Sequence, residues 1–189
     1  MAEGMARERI KERYPDRAHE LTISSAGIAG LDGETASMEA VMTMRERGVD
    51  ITAHRARSTT RELLASSDLV LTMEAAQAER LRAMGEPPQP GGSHDGRSFP
   101  IVFPLLRLGE AARGASAEQD DTIQLEDPSA RLEILVRIAS AIRREDSWEL
   151  PDFSYEIGDP MGLSISGYSG AAEAMEKPIY DILSFLISQ

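Results

Sequence analysis

The sequence predicts an α/β fold, a doubly wound parallel sheet flanked by helices. Three observations carry that expectation. Asp68-Leu69-Val70-Leu71-Thr72-Met73 has the unbroken apolar centre of a strand buried on both faces of a parallel sheet. Helical patterns at 35–47 and 74–84 lie on either side of it, so helix and strand alternate at βαβ lengths. Hydrophobic residues make up 41% and charged residues 28% of 189 residues, which is globular rather than disordered composition and enough chain for one compact domain.

Residues 1–14 read as a helix with Met1, Met5 and Ile10 as its apolar positions, stopped by Pro15. Leu21-Thr22-Ile23-Ser24-Ser25 reads as a short strand that runs into a loop at Ala26-Gly27. In the helix at 35–47, Ala36, Ala40, Val41 and Met44 share a face and Gly48 supplies the stop. Thr59 or Thr60 caps a short helix carrying Leu63 and Leu64, and Gly85 ends the helix at 74–84. Residues 86–98 are rich in Pro, Gly and Ser and read as a loop. Phe99 to Leu108 reads as an edge strand leading into a short helix, because Pro100 and Pro104 interrupt it. Residues 109–126 read as a polar, acidic, mobile stretch. Asp127-Pro128 is a helix start, followed by Leu132, Leu135, Ile138 and Ile142 on one face to about Arg144. Residues 145–168 read as irregular. A last helix over about 169–187 carries Ala172, Met175, Ile179, Ile182, Leu183 and Leu186 on one stripe.

The formal net charge of −12 argues against nucleic-acid binding, which needs a basic surface, and against an anionic membrane surface. No apolar run reaches the ~20 residues of a membrane span, and Glu3, Arg7, Glu8 and Arg9 make the first residues too charged for a secretory signal. A soluble cytoplasmic protein is the expectation. The sequence has no cysteine, which removes disulfides, thiolate metal sites and cysteine nucleophiles from these residues. His19, His54 and His94 lie far apart without metal-ligand spacing, so no metal site is expected.

Short segments in order carry a resemblance. They are Met1-Ala2-Glu3-Gly4, Ser24-Ser25-Ala26-Gly27, Arg45-Glu46-Arg47-Gly48-Val49-Asp50-Ile51 with His54-Arg55-Ala56-Arg57, Asp68 to Met73, and Asp159-Pro160-Met161-Gly162 ahead of the final helix. Any one of them is weak, but their order and spacing resemble the low-molecular-weight protein tyrosine phosphatase family over about 1–85 and 157–189. The resemblance implies a phosphotyrosine phosphatase I-like fold in a single domain over 1–189, with a longer middle segment at about 86–156. It implies no metal or organic cofactor. Its substrates would be a phosphotyrosine protein or a small aryl phosphate.

Phosphomonoester hydrolysis through a covalent intermediate needs a nucleophile, a cradle for the phosphoryl oxygens and an acid for the leaving oxygen. In the family, a C-x5-R loop supplies the first two ahead of the helix that begins here at residue 1. By resemblance Asp159 is the general acid and later the base for water, with Pro160 restricting its backbone. Asp-Pro is also a common turn pair, and Asp127-Pro128 repeats it. His54 and Arg57 are implied to support the phosphate loop; a lone histidine beside a helix start is more often a capping or core residue, but the His54-x-Ala56-Arg57 context favours support, while a solvated arginine accounts for Arg57 equally well. Met161 departs from the pattern, since many relatives carry an aromatic residue there that walls the substrate cleft. Tyr168 either substitutes for that residue or is an ordinary core or surface tyrosine. Ser24 and Ser25 read as a strand end with no base nearby.

The chain from Met1 lacks the C-x5-R loop and the first strand, which in the family lies centrally between the strands at 21–25 and 68–73. The expectation is therefore a tyrosine phosphatase-like protein that is inactive in this form, with a true start upstream of Met1. The alternative is a non-catalytic remnant acting as a binding protein. Arsenate reduction ranks below both, since it would need further cysteines.

Overall fold

The computed structural model describes residues 1–29, 31–85, 101–117, 128–145 and 156–187. The expected loop at 86–98, the acidic end of 109–126 and residues 146–155 of the irregular stretch at 145–168 lie outside them.

Helix α1 spans Ala2–Arg13. It is rich in Ala, Met, Glu, Lys and Arg, all strong helix formers. Glu3 pairs with Arg7 at 2.8 Å and Glu8 with Lys11 at 3.2 Å, each at helical spacing. It ends at Tyr14, whose φ of −137° and ψ of 49° leave the helical region because Pro15 follows. Met5, Ala6 and Ile10 face the core. Gly4 lets α1 come close to the segment after the next helix, since a Cβ there would sit 2.7 Å from Ile51 Cγ2 and 3.1 Å from Val49 Cγ1.

The helix expected at 35–47 is α2, Met38–Glu46. It starts later because Ser37 caps it, its Oγ accepting the Ala40 N–H at 3.2 Å, while Thr35 is held in an antiparallel bridge to Arg55. Gly48, with φ of +74°, takes the left-handed turn that ends it. Helix α3, Arg61–Ala65, has Thr60 as its cap, accepting from Leu63 N at 3.1 Å.

Strand β1, Leu69–Thr72, pairs in parallel with β2, Ile101–Pro104, placing Leu69 beside Ile101 and Thr72 beside Pro104. Helix α4, Ala75–Gly85, connects towards β2 in the βα order the sequence predicted. Two expectations about the sheet need correction. Leu69, Val70 and Leu71 are half-buried rather than buried on both faces, because among the described residues β1 has a ladder partner on one edge alone. Residues 21–25 form no strand. Their neighbours are side chains instead: Arg7 donates to the Ile23 carbonyl at 3.1 and 2.6 Å, and Arg57 donates to the Ser25 carbonyl at 2.8 Å. Leu21 and Ile23 still pack against the core.

Helix α5, Leu105–Ala117, follows β2 directly. It is longer than the expected short helix and takes in residues 109–117, predicted to be mobile. The reason is an apolar stripe of Leu105, Leu108, Ala111 and Ala112, all buried. Helix α6, Pro128–Glu145, begins at the predicted proline, and its buried Arg131 donates to the Phe185 carbonyl at 3.2 Å. Helix α7 spans Ile165–Ile187, starting earlier than the expected 169, and buries the predicted stripe of Ala172, Met175, Ile179, Ile182, Leu183 and Leu186. The main core joins α1, α2, α5, α6 and α7, and a smaller cluster joins Leu64, Ala78, Leu81 and Val102 beneath the strands.

Pro178 lies inside α7 and has no N–H for the helical ladder. Its neighbour across the interface is Gly109 of α5, where a Cβ would lie 2.3 Å from Pro178 Cβ and 2.6 Å from its Cα. Gly109→Ala is expected to lower unfolding free energy by about 1–3 kcal/mol through overpacking against backbone, read from urea denaturation; an unchanged midpoint would refute the contact. Thr43 Oγ1 in α2 is buried with no hydrogen-bond partner among the described residues. Thr43→Val keeps the shape without the hydroxyl and is expected to be neutral or to stabilise by up to about 1 kcal/mol.

Candidate active site

The first turn of α1 holds an acidic side chain, Glu3, where the helix dipole favours one. Its carboxylate, largely buried itself, is the hub of a polar cluster that reaches the surface at Arg7. Oε2 accepts the Ser25 hydroxyl at 2.5 Å, and Oε1 meets the Arg7 guanidinium at 2.8 Å. His54 Nδ1 stands 3.7 Å from Glu3 Oε2, an ion-pair distance rather than a hydrogen bond. The pair carries opposite charges when the imidazole is protonated.

The backbone before His54 is shaped by Asp50. Its Oδ1 accepts the Thr52 N–H at 2.9 Å and the Thr52 hydroxyl at 2.7 Å, an Asx turn. These bonds, the backbone one first, hold the Asp50 carboxyl below the usual range. The His54 N–H then bonds to the Ile51 carbonyl at 3.1 Å, which fixes the backbone from which the imidazole extends. Three residues on, Arg57 Nε donates to the Ser25 carbonyl and the Arg57 carbonyl accepts the Gly27 N–H at 2.9 Å. Asp32 secures the same segment by accepting from Ser58 N–H and, at 3.0 Å, from the Ser58 hydroxyl.

Two of the three predicted site residues thus meet around one structural unit, the start of α1 with residues 23–27. Glu3 and Ser25 are the members that sequence reasoning left without a role. Both stood in quoted motifs, but nothing local signals that a helix residue and a loop hydroxyl far apart in the chain share a hydrogen bond.

Asp159 belongs to a separate turn. Ile157 is buried and its N–H bonds to the Met73 carbonyl at 2.9 Å, so the turn hangs from the C-terminal end of β1. Parallel α/β sheets bind ligands at that end. Asp159 is exposed, and its Oδ1 accepts the Met161 N–H at 2.9 Å. Leu163 N–H bonds to the Pro160 carbonyl at 2.9 Å, and Gly162 has φ of +81°. Among the described residues no hydrogen bond or ion pair links Asp159 to His54 or Arg57. Met161 is exposed. Tyr168 is buried in the core, with its hydroxyl taking a hydrogen bond from Ser37 Oγ at 3.1 Å, so it does not stand in as a cleft wall.

A family model of the low molecular weight phosphotyrosine protein phosphatase matches residues 1–89. Over these residues the chain is similar to that family. Among curated members of this phosphatase family, low molecular weight protein-tyrosine-phosphatase Ptp of Acinetobacter johnsonii is 38% identical over 77 residues, 41% of this chain and 51% of that protein. Low molecular weight protein-tyrosine-phosphatase Wzb of Escherichia coli K12 is also 38% identical over 77 residues, 41% of this chain and 50% of its own length. The chain spans about half the length of the curated phosphatases it matches. The α/β fold is shared with the low molecular weight protein tyrosine phosphatase of T. tengcongensis, at a TM-score of 0.57 and 23% identity, covering 97% of this chain and 87% of that one. The tyrosine phosphatase of Entamoeba histolytica aligns at a TM-score of 0.59 and 13% identity, covering 96% of this chain and 84% of that one. At such identities the likeness concerns the fold. No helix among the described residues is long and apolar enough to cross a membrane.

The Asp50 turn makes a pH prediction. A carboxyl whose folded pKa is depressed adds stability above its unfolded pKa and loses it as pH falls through the folded value. Asp50→Asn is therefore expected to flatten the acid limb of stability below about pH 5 relative to the unsubstituted protein. Thermal scans between neutral pH and about pH 3 check it; parallel limbs would exclude a role for the Thr52 bonds.

Proposed function

We propose that this chain is the acid-bearing part of a phosphotyrosine-type phosphatase, one domain with a longer middle segment at about 86–156, and that Asp159 is its general acid. The reaction takes a cysteine thiolate to the phosphorus of an aryl phosphate. The S–P bond forms as the P–O bond to the leaving group breaks. Asp159, protonated, gives its proton to the departing aryl oxygen, so the leaving group departs as a neutral phenol. The resulting carboxylate then takes a proton from the water that attacks the cysteinyl phosphate, releasing phosphate and the thiolate. Residues 1–189 contain no cysteine, so the reaction requires a C-x5-R segment that these residues do not hold, and on their own they are expected to be inactive. The segment's position in the family is directly ahead of α1, whose N-terminus would face the phosphoryl dianion. Its substrates are phosphotyrosine proteins or small aryl phosphates.

The observation that carries this reading is the bond from Ile157 N–H to the Met73 carbonyl, which hangs the Asp159 turn at the ligand-binding end of β1. His54 and Arg57 are read as supports of the phosphate loop. The reading is favoured by the contact of His54 with Glu3 in the first turn of α1 and by the hold of Arg57 on the Ser25 carbonyl. A second reading, a non-catalytic binding protein, is favoured by the missing cysteine alone.

The test begins with the native protein purified from its source cell. A mass above that of residues 1–189, with C-x5-R in the added segment, and phosphatase activity are expected. Asp159→Ala should then lower kcat by ~10²–10⁴ with phosphotyrosine, the range of a lost general acid. The loss should be smaller with p-nitrophenyl phosphate, whose leaving group needs the proton less. Equal rates with and without Asp159 would remove the acid assignment. A native mass matching residues 1–189, with no rise in melting temperature on adding phosphate, would favour the binding protein.

A further inference from the structure

The turn that carries Asp159 is exposed and held by few bonds of its own, the Met161 N–H to Asp159 Oδ1 and the Leu163 N–H to the Pro160 carbonyl. Such an element opens easily unless its flanks are fixed. One flank is Ile157, anchored on Met73. The other is the first turn of α7, where the N–H groups of Gly167 and Tyr168 both reach the Ser164 carbonyl, at 2.9 and 3.3 Å.

What fixes that second flank comes from α2. The Ser37 hydroxyl donates to the Tyr168 hydroxyl at 3.1 Å and accepts the Ala40 N–H at 3.2 Å, so one oxygen both caps α2 and grips α7. At the other end of α2, Arg47 donates to the Ser169 carbonyl at 3.3 Å. Ser37 is in turn tied to the segment that bears His54 and Arg57. Gly33 N–H bonds to the Ala56 carbonyl at 2.8 Å, Ala56 N–H bonds to the Glu34 carbonyl at 2.8 Å, and Thr35 bridges Arg55. A continuous chain of hydrogen bonds and short backbone steps therefore runs from the His54 segment, through residues 33–37, to Tyr168 and the turn of Asp159.

We propose that Tyr168 is a positioning residue whose hydroxyl bond to Ser37 couples the order of the 159–163 turn to the start of α2. The proposal rests on the reading of Asp159 as the acid, since its consequence is to aim that carboxyl. A proton donor works only within hydrogen-bond reach of the leaving oxygen, and small errors of placement are costly. Tyr168 touches no reacting atom; it acts through the turn.

The test uses the 189-residue chain and hydrogen exchange followed residue by residue by NMR, in the unsubstituted protein, Tyr168→Phe, Ser37→Ala and the double variant. Each single variant is expected to speed exchange at the Met161 and Leu163 amides by about 2- to 10-fold, the worth of one neutral hydrogen bond. The double variant should go no further than Ser37→Ala, because the bond to Tyr168 is already broken there, while Ser37→Ala also removes the cap on Ala40 that Tyr168→Phe leaves in place. The Ile10 amide of α1 should be unchanged, and Ser37→Thr, which keeps the hydroxyl, should restore the original rates. Unchanged rates at Met161 and Leu163, or an acceleration shared by Ile10, would overturn the coupling. In the native gene product, Tyr168→Phe should lower kcat for phosphotyrosine at constant KM. An unaltered kcat, where Asp159→Ala does lower it, would overturn the positioning role. If exchange responds but Asp159→Ala leaves hydrolysis unchanged, the coupling stands and the acid reading fails.

Discussion

Burial of one face of α7 organises the molecule. Met175, Ile179, Ile182, Leu183 and Leu186 lie within a few per cent of full burial, and α1, α2, α5 and α6 all contribute to the same cluster. At about 1.5–3 kcal/mol for each large apolar side chain taken out of water, this stripe outweighs any single polar contact in the protein. It also dictates a detail that is costly elsewhere. Pro178 interrupts the α7 ladder, and α5 can approach it because Gly109 presents no side chain there. The helix that follows the Asp159 turn is therefore firmly anchored, and the turn is joined directly to its start.

The polar cluster at the start of α1 has a different character. Glu3 is largely buried, so its carboxylate must be matched by donors, and Ser25, Arg7 and His54 surround it. The Arg7 partner lies at the surface, where an ion pair adds little; the Glu3 carboxylate is the group that would be expensive to leave without donors. The guanidiniums of Arg7 and Arg57 also satisfy carbonyls at Ile23 and Ser25, which lack ladder partners among the described residues. Residues 21–27 are thus held by side chains and bridges, and the arginines do there what a neighbouring strand does in a regular sheet.

Much of the local structure was legible. Pro15 ends α1 because the residue before a proline leaves the helical region, Thr60 caps α3, and Gly48 takes a positive φ. The apolar stripe of α7 was read with its correct members, because helical periodicity is strong over a long segment. The errors share a cause. The run at 21–25 has strand composition but no ladder partner among the described residues, and strand formation depends on pairing as well as on propensity. Helix α5 runs beyond the expected short helix because the buried stripe of Leu105 and Leu108 continues through Ala111 and Ala112 into a stretch that is otherwise polar and acidic.

For the candidate site the division is sharper. Sequence order alone pointed to the family resemblance and the α/β class and singled out Asp159, His54 and Arg57 as candidates, since those depend on motif identity and spacing. Tertiary structure alone decided that Glu3 faces His54 and Ser25, that Tyr168 is buried against Ser37, and that the Asp159 turn hangs from Met73. The physical reason is range. Capping, turns and periodicity act over a few residues, while a buried carboxylate finds its donors across whatever elements the packing of α7 brings together.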